Sequence, residues 1–183
     1  IIDPHLNHEI SQILAKGIIV EVPPQPDGQY SLGFYSKVFT VAKRDSSKRR
    51  FIIDLRGLNR FLRYKHVKME KLQDAIDLIL PNNLLTSIDI QDAYYHLPIH
   101  PAHHHLLRFA VMTPQLTLKV YQFTCLPMGL SSAPYHFIKM MKPILYTIRT
   151  KGVKMVAYMD DLLVISPSTL RSQEDLKIVT TTL

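Results

Sequence analysis

Two adjacent carboxylates, Asp160 and Asp161, interrupt the most apolar part of the sequence. The run before them, 155–158, reads MVAY, and the run after them, 162–165, reads LLVI. Short apolar runs bounded by turn-forming residues predict two buried strands joined by a tight turn. Adjacent like charges in a partly desolvated turn repel each other unless something cationic holds them. The pair therefore indicates either an ordinary hairpin turn or a charged functional site.

A third carboxylate favours the functional interpretation. The run 84–88 is another apolar strand, and it ends in Asp89. If this strand lies beside the Asp160 and Asp161 hairpin in one sheet, three carboxylates meet at one edge. Hard oxygen donors suit Mg²⁺ or Mn²⁺. Because Cys125 is the only cysteine, intrachain disulfides and cysteine-rich zinc sites are excluded.

Positive charge is concentrated in one stretch of the chain. The 183 residues carry a net charge of +7, and residues 37–71 hold 12 basic and 3 acidic residues. Interleaved apolar residues predict a folded hairpin of strands 37–43 and 49–54 with cations on one face. Such a face attracts polyanions. It therefore indicates either a nucleic acid or nucleotide partner or an ordinary basic surface.

The rest of the chain predicts a mixture of helices and strands. Helices are expected before Gly17, at 69–80, from 131 or 132 to about 150, and from about 170, and strands at 18–22, 106–112 and 116–123. Histidines 96, 100 and 103–105 suggest a metal cluster by composition, but Pro98 and Pro101 break any helix that would align them. We therefore expect a solvated loop there. No apolar run is long enough for a membrane span, and the N-terminus lacks a signal-peptide pattern, so a cytoplasmic or nuclear location is expected.

Four sequence motifs resemble those of the reverse transcriptases. The basic hairpin followed by DLRGLN at 54–59 resembles the fingers of that family, and three further motifs resemble its palm: SIDIQDAYY at 87–95, LPMGLSSAP at 126–134 and YMDD at 158–161. They occur in the family's order. Within the family, four runs are most similar to DIRS-like retrotransposons: GFYS at 33–36, HVKME at 66–70, LPIHP at 97–101 and YQFTCLP at 121–127.

The resemblance implies an α+β fold of the polymerase right-hand type. Residues 1–83 would be mainly fingers, with an N-terminal helix, the basic β-hairpin and a helix. Residues 84–183 would be mainly palm, with an antiparallel sheet backed by helices and some fingers elements near 100–125. The chain opens on Ile and stops inside a predicted helix, so we expect it to be part of a longer polyprotein. The thumb is absent from it and would lie downstream with a ribonuclease H domain.

The resemblance also implies an RNA-directed DNA polymerase that adds deoxynucleotides to a primer 3′-hydroxyl. Asp89, Asp160 and Asp161 match the catalytic acids that bind two Mg²⁺ or Mn²⁺ ions, and Ile90 would offer its backbone carbonyl. Two metal ions serve this reaction because one activates the hydroxyl and the other stabilises the pyrophosphate leaving group.

Other positions match the family's deoxynucleotide site. Lys43 and Arg50 match the cations that hold the triphosphate. Tyr94 matches the residue whose ring packs under the sugar and clashes with a 2′-hydroxyl, while Asp92 and Ala93 would line the sugar pocket through their backbone.

Three further positions complete the implied site. Met128 stands where retroviral enzymes often have glutamine, so it would contact the nucleotide without a side-chain hydrogen bond. Arg56 and Gly129 are candidate template contacts. The expected partners are a primed RNA or DNA template, deoxynucleotides and the downstream domains, with no membrane.

Two other functions stay open. One is a catalytically silent, polymerase-like scaffold that binds nucleic acid, and the presence of all three acids argues against it. The other is an RNA-directed RNA polymerase with a related palm, against which Tyr94 and the fingers motif argue.

Overall fold

A computed structural model describes residues 4–42, 49–113 and 115–183 of the chain. The helices are α1 (Pro4–Ala15), α2 (Arg56–Asn59), α3 (Leu72–Ile76), α4 (Ala133–Thr150) and α5 (Thr169–Thr182). The strands are β1 (Ile19–Val22), β2 (Lys37–Ala42), β3 (Arg49–Asp54), β4 (Leu84–Asp89), β5 (Arg108–Met112), β6 (Leu118–Phe123), β7 (Lys154–Tyr158) and β8 (Asp161–Ser166). Two short 3₁₀ helices lie at Ala93–His96 and Pro101–Leu106. In these described ranges, no helix is long and apolar enough to cross a membrane.

The chain divides into two compact units. Unit 1 comprises Ile1–Tyr64 and Tyr94–Ala133, and unit 2 comprises Lys65–Ala93 and Pro134–Leu183. The named strands pair antiparallel throughout. The predicted mixture of helices with antiparallel sheets is therefore confirmed.

Unit 1 is built around aromatic side chains. Strands β1, β6 and β5 form one antiparallel sheet in that order, and β2 and β3 form the predicted hairpin. Phe51 of β3 packs against Phe109 and Phe123 of the sheet, with ring centroids 5.5 and 6.2 Å apart. Because successive side chains of a strand point to opposite faces, Phe51 and Ile53 are buried while Arg50 is exposed. Residues 43–48, which join the two predicted strands of this hairpin, lie outside the described residues.

The helix predicted at 69–80 is wrong in length, since α3 spans only Leu72–Ile76. It begins where the Lys71 peptide N–H donates to the Asp74 carboxylate at 2.6 Å. Leu72 and Ile76 are 77% and 52% exposed. A helical spacing of apolar residues extends a helix mainly when that face packs on something, and here the face is largely bare.

Unit 2 contains the sheet that carries the predicted acids. Its strand order is β4, β8, β7, so the predicted adjacency of the Asp89 strand and the hairpin strands is confirmed. Helix α5 packs on β8 and β4. The Ser166 hydroxyl donates to Asp175 at 2.6 Å, and Asp175 is almost fully buried and paired with Arg171 at 2.9 Å. The hydrogen bond and the ion pair of Asp175 together hold α5 against the central strand, β8.

The turn between β7 and β8 is shorter than predicted. Asp161 is the first residue of β8, so the connection consists of Met159 and Asp160 alone. The difference matters because it gives Asp161 a fixed register in the sheet.

Candidate functional site

Two of the three predicted acids lie opposite each other in the sheet of unit 2. Asp89, at the end of β4, is the register partner of Asp161, and Tyr158 of β7 pairs with Asp161 from the other side. Directly opposite residues of antiparallel strands share a face, with Cβ atoms about 4.5–5.5 Å apart, and like charges in such pairs destabilise a sheet. Both carboxylates are exposed. A cation between them would remove the repulsion.

Asp160 lies in the adjoining two-residue turn. Met159 has a φ of 57°, a conformation that costs a residue other than glycine about 1–2 kcal/mol. Of the two turn residues, Met159 has a positive φ and Asp160 does not, which fits the tight type II′ connection of a β-hairpin. The Ile90 peptide N–H donates to the Asp160 carbonyl at 3.0 Å. The backbone of the turn is thus tied to the residue that follows Asp89.

The oxygen donors of this group fit a hard divalent cation. Among the residues that the structure describes, no three His, Cys, Asp or Glu side chains form a group that could hold a metal ion by themselves. Mg²⁺ is commonly bound by one or two carboxylates together with water and substrate phosphates. Asp89 and Asp161 present such a pair on an exposed face, with Asp160 and Ile90 beside it.

The open edge of β7 is held by Glu70 and Arg149, two residues that the sequence analysis did not single out. One Glu70 carboxylate oxygen accepts from the Ala157 peptide N–H at 2.7 Å, and the other lies 2.6 Å from an Arg149 guanidinium nitrogen. Arg149 also donates to the Met155 carbonyl at 3.0 Å. The two Glu70 contacts join residues 79 and 87 positions apart, so only the position of Glu70 within HVKME could have drawn attention to it.

The predicted sugar-pocket residues begin directly after β4. Asp92 has a φ of 56°, and Ala93, buried at 2% exposure, opens the first 3₁₀ helix. A positive φ at a residue other than glycine is uncommon and clusters at ligand sites. Tyr94 is the next residue, and it belongs to unit 1, where it is half-buried against the apolar core.

Of the predicted triphosphate cations, only Arg50 can be described. It is exposed on β3, opposite Val41 of β2. Lys43 lies outside the described residues.

Asn59 organises the loop that contains Met128 and Gly129. The Asn59 side-chain amide donates to the Gly129 carbonyl at 2.9 Å, and its oxygen accepts from the Ser131 N–H at 2.9 Å. Gly129 has a φ of 93°, which favours glycine there, and Met128 is 39% exposed. The sequence placed Asn59 in the DLRGLN motif without a role.

Arg56, a candidate template contact at the start of α2, is paired with Asp54 at the end of β3. Its guanidinium donates two hydrogen bonds to the Asp54 carboxylate at 2.9 and 2.8 Å. These bonds hold the pKa of Asp54 down at about 2. The Arg56 side chain is nevertheless 88% exposed.

The predicted site residues are therefore distributed between the two units. In unit 2, Asp89 lies opposite Asp161, and the backbones of Ile90 and Asp160 are hydrogen-bonded beside this pair; the unit also contains Asp92 and Ala93. The described candidates of unit 1 are Arg50, Arg56, Tyr94, Met128 and Gly129.

Comparison with known proteins identifies the family. The model of the family described as "Reverse transcriptase (RNA-dependent DNA polymerase)" matches residues 41–183. The chain is 30% identical over 173 residues to the Pol polyprotein of equine infectious anemia virus (isolate 1369), covering 92% of this chain and 14% of that protein. It is 26% identical over 163 residues to the Tf2-3 transposon polyprotein of Schizosaccharomyces pombe, covering 89% of this chain and 11% of that protein.

The matched region spans most of the chain and contains the strand pair that carries Asp89 and Asp161. The chain itself spans only 14% of the viral relative and 11% of the transposon relative. On the family match, this chain belongs to the reverse transcriptases, the RNA-dependent DNA polymerases.

Proposed function

We propose that this chain is the reverse transcriptase region of a DIRS-like retroelement polyprotein, and that it adds deoxynucleotides to a primer on an RNA or DNA template. The observation that carries the proposal is the Asp89 and Asp161 pair beside the Asp160 turn, within the region that matches the family. The names of the relatives, a viral Pol polyprotein and a transposon polyprotein, support a place in a retroelement polyprotein. The four short runs given above support the DIRS-like assignment.

Asp89, Asp160 and Asp161 are the proposed ligands of two Mg²⁺ or Mn²⁺ ions, with the Ile90 carbonyl as a further oxygen. Ions held there would supply a lowered pKa for the primer 3′-hydroxyl and positive charge for the pyrophosphate leaving group. The chain's own contribution is positioning. Strand register keeps Asp89 and Asp161 on one face, and the Ile90 N–H holds the Asp160 turn beside them.

Two cations and three residues that follow β4 are proposed to bind the nucleotide. Arg50, exposed on β3, and Lys43 are proposed to hold the triphosphate through charge-assisted hydrogen bonds. Tyr94 is proposed to exclude a 2′-hydroxyl, with Asp92 and Ala93 offering backbone groups to the sugar.

Three further residues of unit 1 complete the proposal. Met128 would contact the nucleotide through its exposed thioether side chain. Arg56 and Gly129 would contact the template, and the exposure of the Arg56 side chain supports that role.

The fingers and palm assignment of 1–83 and 84–183 stays a prediction, as do the downstream thumb and ribonuclease H domains. A cytoplasmic or nuclear location is likewise a prediction.

Primer extension tests the proposed function. The chain and a polypeptide continued past Leu183 would each be given a primed RNA template, deoxynucleotides and Mg²⁺ or Mn²⁺, with Asp160→Asn as the control. We expect synthesis by the longer polypeptide and none by the variant. A folded longer polypeptide that binds primer-template without extending it would support the scaffold alternative. Equal use of ribonucleotides would support an RNA-directed RNA polymerase.

A further inference from the structure

We propose that Glu70 is a positioning residue, which fixes the turn carrying Asp160 by closing the open edge of β7. The inference rests on the proposed function, since the position of this turn matters for synthesis only if its acids bind the metal ions. It concerns unit 2 alone, because Glu70, Arg149, β7 and the turn all belong to that unit.

Among the described strands, β7 has a neighbour on one side only. It pairs with β8, and β8 separates it from β4. In an antiparallel pair, alternate residues direct their N–H and C=O groups away from the partner strand. The Ala157 N–H and the Met155 carbonyl are such groups, and Glu70 and Arg149 bind them at 2.7 and 3.0 Å. The carboxylate and the guanidinium thus occupy the place that a further strand would take.

This closure lies next to the candidate metal site. Ala157 is followed by Tyr158, then by Met159 and Asp160 of the turn. On the opposite side, the Ile90 N–H holds the Asp160 carbonyl at 3.0 Å. The turn is therefore anchored from both flanks, and Met159 keeps its left-handed φ of 57° between the two anchors. Glu70 thus adds to the Ile90 bond and the β8 pairing in resisting relaxation of that strained residue.

The bond to the backbone distinguishes Glu70 from an ordinary surface ion pair. Exposed ion pairs contribute little to stability, commonly about 0–1 kcal/mol. The Glu70 and Arg149 side chains are 31% and 37% exposed, so their ion pair alone would have a modest effect. A carboxylate that accepts a peptide N–H forms a shorter, stronger and directional bond, which fixes the strand rather than only attracting it.

Three variants separate the backbone bond from the ion pair. Glu70→Ala removes both. Glu70→Gln keeps an oxygen acceptor for Ala157 and loses the charge. The exchange Glu70→Arg with Arg149→Glu restores opposite charges but leaves Ala157 facing a side chain that has no acceptor. Glu21→Ala is the matched control, because it removes the Glu21–Lys119 ion pair of 2.9 Å, whose side chains are similarly exposed.

Two readouts in the full 183-residue chain do not require synthesis. The first is amide hydrogen exchange at Ala157 in metal-free protein, and the second is line broadening by Mn²⁺ at Asp160 and Asp161. We expect Glu70→Ala and the charge exchange to speed Ala157 exchange and weaken Mn²⁺ binding by about tenfold each, the scale of one lost charge-assisted hydrogen bond. In Glu70→Gln, the Ala157 exchange rate and the Mn²⁺ affinity should stay within about threefold of the parent values. In Glu21→Ala, both should equal the parent values.

Primer extension by the polypeptide continued past Leu183 supplies the third readout. We expect Glu70→Ala to lower kcat by about tenfold while the deoxynucleotide KM changes little, because the acids act on the reacting phosphate. Unchanged Ala157 exchange and Mn²⁺ binding in Glu70→Ala, or their recovery in the charge exchange, would overturn the positioning role. If the parent fails to extend primers while Glu70→Ala still loses Ala157 protection and Mn²⁺ binding, the proposed function is wrong and the positioning role is supported.

Discussion

The peptide N–H of Ile90 donates to the carbonyl of Asp160 at 3.0 Å, which joins the end of β4 to the turn between β7 and β8. Both partners of this bond are backbone groups, so it persists when the neighbouring carboxylates are changed. Asp89 and Asp161 are likewise placed by strand register rather than by their own side chains. Substitution of the acids should therefore alter the charge at this edge of the sheet without altering its framework.

Asp89→Asn tests the opposition of the two carboxylates. Removing one of two like charges that face each other across a strand pair should leave the free energy of unfolding unchanged or raise it by about 0.2–1 kcal/mol. Urea unfolding in metal-free buffer measures the change, and primer extension should show that synthesis is lost. Asp77→Asn is the control, because the carboxylate of Asp77 accepts from the neutral Gln73 side chain at 2.7 Å. If the free energy of unfolding fell by more than about 1 kcal/mol in Asp89→Asn but not in Asp77→Asn, the two carboxylates would not form a repulsive pair.

The acids of unit 2 could be predicted from sequence because each follows or precedes an apolar strand. Their register could not, because moving β4 by one residue would place Ile88 or Ile90 opposite Asp161. The run 84–89 does not alternate cleanly between apolar and polar residues, so it leaves that choice undecided.

Glu70 and Asn59 show what local patterns leave out. Glu70 reaches Ala157 and Arg149, and Asn59 reaches Gly129 and Ser131, across separations of 70 residues or more. Such contacts leave no periodicity in the sequence. The helix at 69–80 failed for a related reason, because apolar spacing does not reveal whether a face has anything to pack against.

Tyr94→Ala tests the proposed sugar selection. Removal of the ring should increase the use of ribonucleotides relative to deoxynucleotides by about tenfold or more, since loss of about 1.4 kcal/mol of discrimination changes the ratio of rates tenfold. Competition between the two nucleotide classes in primer extension measures it. The ring also packs on the apolar core of unit 1, so some stability should be lost as well.

Tyr94→Phe is the matched variant for that experiment, because it keeps the ring and removes only the hydroxyl. It should select deoxynucleotides as strictly as the parent does. Unchanged selectivity in Tyr94→Ala would contradict the role of the ring.

Asn59→Ala should loosen the loop that contains Met128 and Gly129. The substitution removes hydrogen bonds to the Gly129 carbonyl and the Ser131 N–H, each contributing about 0.5–1.5 kcal/mol. Thermal or urea unfolding should show the combined loss. Asn59→Asp keeps an acceptor for Ser131 while placing a carboxylate against the Gly129 carbonyl, so it should not recover the stability of the parent. Full stability in both variants would show that this loop is held by other contacts.

Arg56→Ala should raise the pKa of the Asp54 carboxyl towards its reference value of 3.8. The side-chain hydrogen bonds from Arg56 are the main cause of the lowered Asp54 pKa, which stands at about 2 against a reference of 3.8. NMR titration should therefore find a higher Asp54 pKa in Arg56→Ala, with Arg56→Lys in between because a lysine cannot reproduce the two-point contact.

The lowered Asp54 pKa also makes the stability of the parent depend on pH. At pH values above the pKa of Asp54 in the unfolded chain, the pair stabilises the folded state, and this stabilisation is lost as the pH falls through the lower pKa of the folded state. The parent should consequently lose stability relative to Arg56→Ala between about pH 4 and pH 2. Equal Asp54 titration in the parent and Arg56→Ala would show that the pair does not persist in solution.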